Sequence, residues 1–207
     1  MNHPPPVVSV VDDDQLFLTA VSRLLRASGY SVKTFSSAQQ FLTQMDDVPG
    51  CVIVDLQMDG LSGLDLQAAL AEKAHACPVI FLTGAGDIAT SVRAMRHGAE
   101  DFLTKDVPKE QLLDAVERAL ARDAAQRAER FRLQELRDRF AGLTPREYEV
   151  LRHVVRGRMN KQIAADLGIT ERTVKLHRTA MTTKLRARSV AELMRLVQDA
   201  HIFAQSS

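Results

Sequence analysis

At 207 residues, 45% hydrophobic and 26% charged, the chain has a globular composition with room for one large domain or two small ones. No apolar run approaches the roughly 20 residues that cross a bilayer, and Met1 to Pro6 lacks the basic start and apolar core of a secretion signal, so a cytoplasmic location without membrane contact is expected. The net charge of +1 conceals an asymmetry: residues 1–124 carry 10 Lys/Arg against 17 Asp/Glu, whereas residues 125–207 carry 17 against 9. Opposite-signed halves imply two domains with different partners, the basic one a candidate for nucleic acid.

The first half alternates strand and helix. Val7-Val8-Ser9-Val10-Val11 reads as a β-branched strand ending in Asp12, Asp13 and Asp14. Helical spacing follows over 15–28, with Asp14 placed to cap it and Gly29 to stop it. A second strand over 31–35 precedes a helix opened by Ser37-Ala38-Gln39-Gln40, which has capping-box spacing, and running to about Met45. The third strand covers 51–55, and the next helix 62–73. Pro78-Val79-Ile80-Phe81-Leu82 is a fourth strand, followed by a helix over 87–97 closed by Gly98. Asp101-Phe102-Leu103 is a short fifth strand, and a further helix begins near Pro108. Such βα repetition implies a doubly wound, five-stranded parallel sheet. No G-x-G-x-x-G fingerprint follows the first strand, which argues against a dinucleotide site. Cys51 and Cys77 have no His or Cys at metal-ligand spacing and read as free thiols.

Val52-Ile53-Val54-Asp55 is the focus of this half. An apolar run of this kind suits a strand buried on both faces, and open parallel sheets gather function at the carboxyl ends of their strands. Alone, Asp55 reads equally well as an ordinary residue closing a strand. In the strand order 2-1-3-4-5, however, Asp12, Asp13 and Asp55 converge at one end. Clustered carboxylates repel one another and require a cation or raised pKa values.

The series Val11-Asp12-Asp13-Asp14, Val54-Asp55-Leu56-Gln57-Met58, Leu61-Ser62-Gly63, Leu82-Thr83-Gly84 and Asp101-Phe102-Leu103-Thr104-Lys105 resembles a two-component receiver domain of flavodoxin-like fold. The resemblance implies Mg²⁺ held by Asp12, Asp13, Asp55 and the carbonyl of Gln57. It makes Asp55 the phosphoryl acceptor from a sensor histidine kinase, with Lys105 and Thr83 binding the phosphoryl oxygens and Phe102 reorienting with Thr83. Two positions depart from the receiver pattern, which usually has Pro at each: Asp106 follows Lys105, and Asp59 stands in the loop after Asp55. Asp106 offers Lys105 a competing carboxylate, and a trans bond or a strained loop is expected there.

Residues 110–140 contain no Gly or Pro and favour helix. Their first part carries the stripe expected of a last receiver helix. Residues 125–140 read as a helical linker in which Leu133, Leu136 and Phe140 dock on a domain or join a short coiled coil.

In residues 141–207, Thr144, Pro145 and Glu147 form the start signals of a helix running to Gly157. A second helix begins at Asn160 and stops at Gly168, a third covers about 171–185, and Ser189-Val190-Ala191-Glu192 has capping-box spacing before a fourth. Two short helices joined by a tight Gly-containing turn have helix-turn-helix geometry. Val174, Met181 and Leu185 share a core face of the third helix, and Arg172, Lys175, Leu176 and Thr179 share another. Arg178 and Lys184 flank that second face, within reach of phosphates. Leu143-Thr144-Pro145-Arg146-Glu147, Asn160-Lys161-Gln162-Ile163-Ala164 and Thr173-Val174-Lys175-Leu176-His177 resemble a LuxR-type helix-turn-helix. This implies base contacts from Lys175, Leu176 and Thr179, and phosphate contacts from Lys161, Thr170, Thr173 and His177; His177 reads equally as a packed core residue.

Together the halves resemble the FixJ/NarL class of response regulators. The expectation is a transcription regulator rather than an enzyme, binding promoter double-stranded DNA as a phosphorylation-promoted homodimer and acting on RNA polymerase. An aspartyl-phosphate phosphatase would share the acids and the lysine but needs a cap insertion that the chain has no room for. A DNA-binding regulator with a phosphorylation-independent receiver is the alternative.

Overall fold

The computed structural model describes residues 5–45, 48–72, 77–84, 88–200 and 202. They form two compact units that divide after Arg127, three residues beyond the expected end of the first domain.

In the first unit the strands are β1 (Val7–Val11), β2 (Ser31–Phe35), β3 (Gly50–Val54), β4 (Val79–Thr83) and β5 (Asp101–Thr104). All pairings are parallel, in the order β2-β1-β3-β4-β5. Between them run α1 (Gln15–Ala27), α2 (Ala38–Gln44), α3 (Gly63–Ala71) and α4 (Ile88–Arg96), and α5 (Lys109–Ala141) follows. Every residue of β3 and β4 is buried. Alternation along a strand sends successive side chains to opposite faces. Val8, Val10, Ile53 and Ile80 therefore share a core with Leu25 of α1 and Ala115 and Val116 of α5. Val11, Val52, Val54 and Phe81 pack with Phe41 of α2, Leu66 of α3 and Ala94 of α4. Both faces being covered is why these strands read as continuous apolar runs. The expected helix ends at Lys73 and Asp87 lie outside the described residues.

Helix starts follow the cap chemistry, with two differences. Ser37 accepts the Gln40 amide as expected, but the Gln40 side chain reaches one residue further back and accepts from the Ser36 amide at 2.8 Å. Glu192 does the same, accepting from Arg188 rather than Ser189. Reciprocal boxes occur at Ser62/Asp65 and Thr144/Glu147.

At the opposite end of the sheet from Asp55, buried Asp123 of α5 accepts the Gly50 amide at 2.9 Å and pairs with Arg127, whose guanidinium also donates to the Val48 carbonyl at 2.8 Å. This polar clamp carries α5 past the apolar core of the first unit.

The second unit comprises the last part of α5 with α6 (Pro145–Val154), α7 (Asn160–Leu167), α8 (Glu171–Leu185) and α9 (Val190–Asp199). Leu136 and Phe140, expected to dock on a domain or join a short coiled coil, are buried with Leu151, Ile163, Val174, Met181, Leu185 and Leu193. They are core residues here, because the helices of this short unit need a further apolar face to close upon. Gly168 ends α7 in the left-handed region, at φ 65°, and Thr170 caps α8 two residues later. That geometry makes the tight turn between α7 and α8. Among the described residues, no helix is long and apolar enough to cross a membrane.

Gly63 sets how closely α3 approaches Asp55. A Cβ there would lie 2.3 Å from the Asp55 carbonyl oxygen and 3.0 Å from the Phe81 ring. Backbone cannot yield cheaply to such an overlap, so Gly63→Ala is expected to cost about 2 kcal/mol in urea unfolding. The same substitution should displace Asp55 in amide NMR spectra.

Candidate functional site

The register of β1 against β3 pairs Val11 with Val54, so the next residues, Asp12 and Asp55, emerge side by side. Ligand oxygens of Asp12, Asp13 and Asp55 all lie within 4.8 Å of one another. Asp12 and Asp55 are buried, while Asp13 is exposed. Lys105, just past β5, places its ammonium 2.7 Å from Asp12 Oδ2 and 3.1 Å from Asp55 Oδ2. Its amide donates to the Thr83 carbonyl at 2.8 Å, anchoring the residue at the end of β4.

Burial pushes the Asp12 carboxyl above its ordinary value, against the pull of Lys105 and the Asp14 amide. Burial alone would depress the Lys105 ammonium, but the hydrogen bonds to Asp12 and Asp55 outweigh it and hold Lys105 above its usual value. The lysine is thus a fixed positive charge shared by two carboxylates. Asp55 Oδ1 is buried and has no hydrogen-bond partner. An orphaned carboxylate oxygen beside two further acids fits a hard divalent cation, which takes oxygen ligands. The cluster can therefore coordinate a divalent metal.

The remaining expected residues fall around this centre. Thr83 is buried at the end of β4. Phe102 is half-buried on β5, its ring centroid 5.8 Å from that of Phe81. Gln57 is exposed in the loop after β3. Asp14 caps α1, accepting the amides of Leu16 at 2.9 Å and Phe17 at 3.1 Å. Neither departure from the receiver pattern takes a reacting group away. Lys105 pairs with Asp12 and Asp55 rather than Asp106, and no cis peptide bond is present among the described residues. The Asp59 amide, which a proline would lack, donates to Asp13 Oδ2 at 3.1 Å. Phe17 was not singled out in the sequence, yet the Lys105 ammonium lies 4.4 Å from the centroid of its ring. Its place on an apolar helical stripe gave no signal of that contact.

On α8, Val174, Met181 and Leu185 are fully buried. Arg172, Lys175, Leu176 and Thr179 are exposed, Leu176 to 65%. Lys161 at the start of α7 and Thr170 before α8 are exposed as well, and Thr173 and His177 are half-buried. The Thr170 and Thr173 hydroxyls are 2.9 Å apart. Two expected phosphate contacts are otherwise engaged. Arg178 donates to Asn160 Oδ1 at 2.8 Å, tying α8 to the start of α7. Lys184 donates to Glu147 Oε2 at 2.7 Å. Glu147 is 5% exposed, so Lys184 could serve a phosphate only by abandoning a buried carboxylate. The Glu147 cap was legible in sequence, but its burial and its partner on another helix were not.

Lys184 holds the Glu147 carboxyl below its usual value, with help from Thr144 and against desolvation. A depressed folded-state pKa adds stability that is present above the ordinary carboxylate range and is lost as pH falls through the folded value. Lys184→Met should destabilise the second unit by about 1–2 kcal/mol, discounted for the exposed lysine. It should also flatten the loss of stability on acidification below about pH 4.5. Urea unfolding at several pH values checks both.

Residues 8–117 match the response regulator receiver domain family, and residues 141–197 match the luxR family of bacterial regulatory proteins. Nodulation protein W of Bradyrhizobium diazoefficiens is 43% identical over 199 residues, covering 96% of this chain and 88% of its own. The structure of the response regulator StyR superposes with a TM-score of 0.86 at 43% identity, covering 94% of this chain and 99% of that one. Full-length FixJ from B. japonicum gives 0.56 at 33% identity, covering 96% and 98%. Two family matches in order, over an acidic cluster and a helix-turn-helix, place the chain among the FixJ/NarL-class response regulators, phosphorylation-regulated DNA-binding transcription factors rather than enzymes.

Proposed function

We propose that Asp55 is the phosphoryl acceptor and that a sensor histidine kinase is the donor. One observation carries this reading: Asp55 presents one oxygen to Lys105 and another with no partner, beside Asp12 and Asp13. An Asp55 oxygen attacks the phosphorus of a phosphohistidine; the new O–P bond forms as the N–P bond breaks, and the electron pair leaves on the imidazole. Mg²⁺ held by Asp12, Asp13, Asp55 and the Gln57 carbonyl would neutralise charge on the transferring group. Lys105, already at Asp55, turns its ammonium to a phosphoryl oxygen. The Thr83 hydroxyl binds another, and Phe102 moves with it, reshaping the surface of α4 and β5. A modification shifts a two-state equilibrium only by what it contacts differently in each state, and Thr83 and Lys105 are the groups that supply the difference.

In the second unit, α8 enters the major groove of promoter DNA. Arg172, Lys175, Leu176 and Thr179 face base edges, the Leu176 side chain suiting a thymine methyl. Lys161, Thr170, Thr173 and His177 meet phosphates, while Arg178 and Lys184 hold the helix in place for them. Phosphorylation promotes a homodimer that offers two such helices to two half-sites, multiplying affinity without new contacts per head. RNA polymerase is the partner at the promoter, and the cytoplasm is the compartment.

Incubation with Mg²⁺ and acetyl phosphate should add one phosphoryl mass to the chain and shift its sedimentation toward a dimer. Asp55→Asn should take up no label and remain monomeric, whereas Asp14→Asn, which keeps the cap, should label normally. Undiminished labelling of Asp55→Asn, or a labelled protein that stays monomeric at DNA-binding concentrations, would contradict the proposal. On DNA, Lys175→Ala should lose about 1–3 kcal/mol of discrimination between target and random sequence. Lys161→Ala should weaken both equally and reduce the salt slope by about 1. Binding isotherms across a salt series separate these outcomes.

A further inference from the structure

Three groups surround the Lys105 ammonium: Asp12 Oδ2 at 2.7 Å, Asp55 Oδ2 at 3.1 Å, and the face of Phe17, whose centroid is 4.4 Å away. The two carboxylates are the groups that phosphorylation would redeploy. Asp55 becomes an acyl phosphate, and Asp12 belongs to the metal-binding cluster. The ring is the one neighbour of the three that the reaction leaves chemically unchanged. An aromatic face attracts an ammonium through its quadrupole, and more strongly where water is reduced. The Lys105 side chain is 21% exposed, so the contact lies in a partly desolvated site.

The ring is itself held from two sides. Asp14 accepts the Phe17 amide at 3.1 Å, fixing the first turn of α1. The ring packs, partly buried, against the core that also receives Leu103 and Val107, the residues flanking Lys105 in sequence. Lysine has a flexible four-carbon stem, and a bound backbone alone does not place its ammonium. A second anchor near the charged end does.

We infer that Phe17 is a positioning residue for Lys105, its ring face keeping the ammonium beside Asp55 while Asp12 and Asp55 exchange that ammonium for other partners. The inference rests on the phosphorylation reading above. Its rival is that Phe17 only fills the apolar space under α1, and the two differ in what the ring's electrons do.

The test replaces Phe17 in the full chain with 3,4,5-trifluorophenylalanine, which nearly keeps the ring's shape while its electron-withdrawing fluorines weaken the negative potential of its face. Phe17→Leu and Phe17→Tyr accompany it. The initial rate of phosphorylation by acetyl phosphate and Mg²⁺ should fall roughly two- to fivefold in the fluorinated protein and in Phe17→Leu, and return in Phe17→Tyr. Without Mg²⁺ or a phosphodonor, a double-mutant cycle of Phe17→Leu with Lys105→Met should show a coupling of roughly two- to fivefold in the unfolding equilibrium. A fluorinated protein that reacts at the native rate overturns the inference, even where Phe17→Leu is slow, because packing would then explain the leucine. An absent coupling overturns it as well. A native chain that takes no label at all defeats the phosphorylation reading instead, and the metal-free cycle still reports on the ring and the lysine.

Discussion

Three carboxylates at the ends of two adjacent strands repel one another unless positive charge is held among them, and Lys105 supplies that charge. Asp12 and Asp55 are both buried, so solvent screens little of their repulsion. The sheet is arranged around this constraint. Pairing of β1 with β3 brings the acids together, and pairing of β4 with β5 delivers the lysine from the other side, its amide bound to the Thr83 carbonyl. Covering the central strands β3 and β4 on both faces buries them along their whole length. The same burial that makes the strands cohere makes the acids costly, and the lysine is what makes that cost tolerable. A group that balances charge in this state is also placed to follow the charge that the proposed phosphorylation would put on Asp55.

The second unit meets a smaller version of the problem. Glu147 caps α6 and is buried, and Lys184 of α8 closes over it. The ion pair joins two helices whose apolar faces already meet through Leu151, Val174, Met181 and Leu185. Arg178 ties α8 to α7 in the same manner through Asn160. Cations on one helix thus divide by role. Those set toward neighbouring helices fix its orientation, and those on the far face, Arg172 and Lys175, stand in solvent. A helix proposed to read DNA needs both, since base readout depends on side chains presented from a rigid frame.

Local structure was largely legible because it depends on neighbours in sequence. Five expected strands formed, and the cap residues read at 14, 37, 144 and 189 became helix starts. The misplaced reciprocal bonds at Gln40 and Glu192 show the limit of such rules. A long side chain reaches whichever orphan amide is nearest, and one residue of difference in the entering chain decides which that is. The reading of residues 125–140 left open whether their apolar residues dock on a domain or join a coiled coil. Leu136 and Phe140 have helical spacing whether they face water, a second helix or a core, and only the closing of α6 to α9 around them decides among these.

The sequence by itself determined the βα alternation, the opposite charges of the two halves, the acids after β1 and β3, and the core and outer faces of α8. Each follows from periodicity or composition, which act over a few residues. Only the tertiary structure decided that Lys105 shares Asp12 with Asp55, that the Phe17 ring lies beside that lysine, and that Lys184 belongs to Glu147. These are encounters between residues far apart in the chain, 50 positions for Lys105 and Asp55 and 37 for Lys184 and Glu147. No local pattern encodes them. They are set by which surfaces burial brings together, and by the rule that a charge taken out of water must find its partner there.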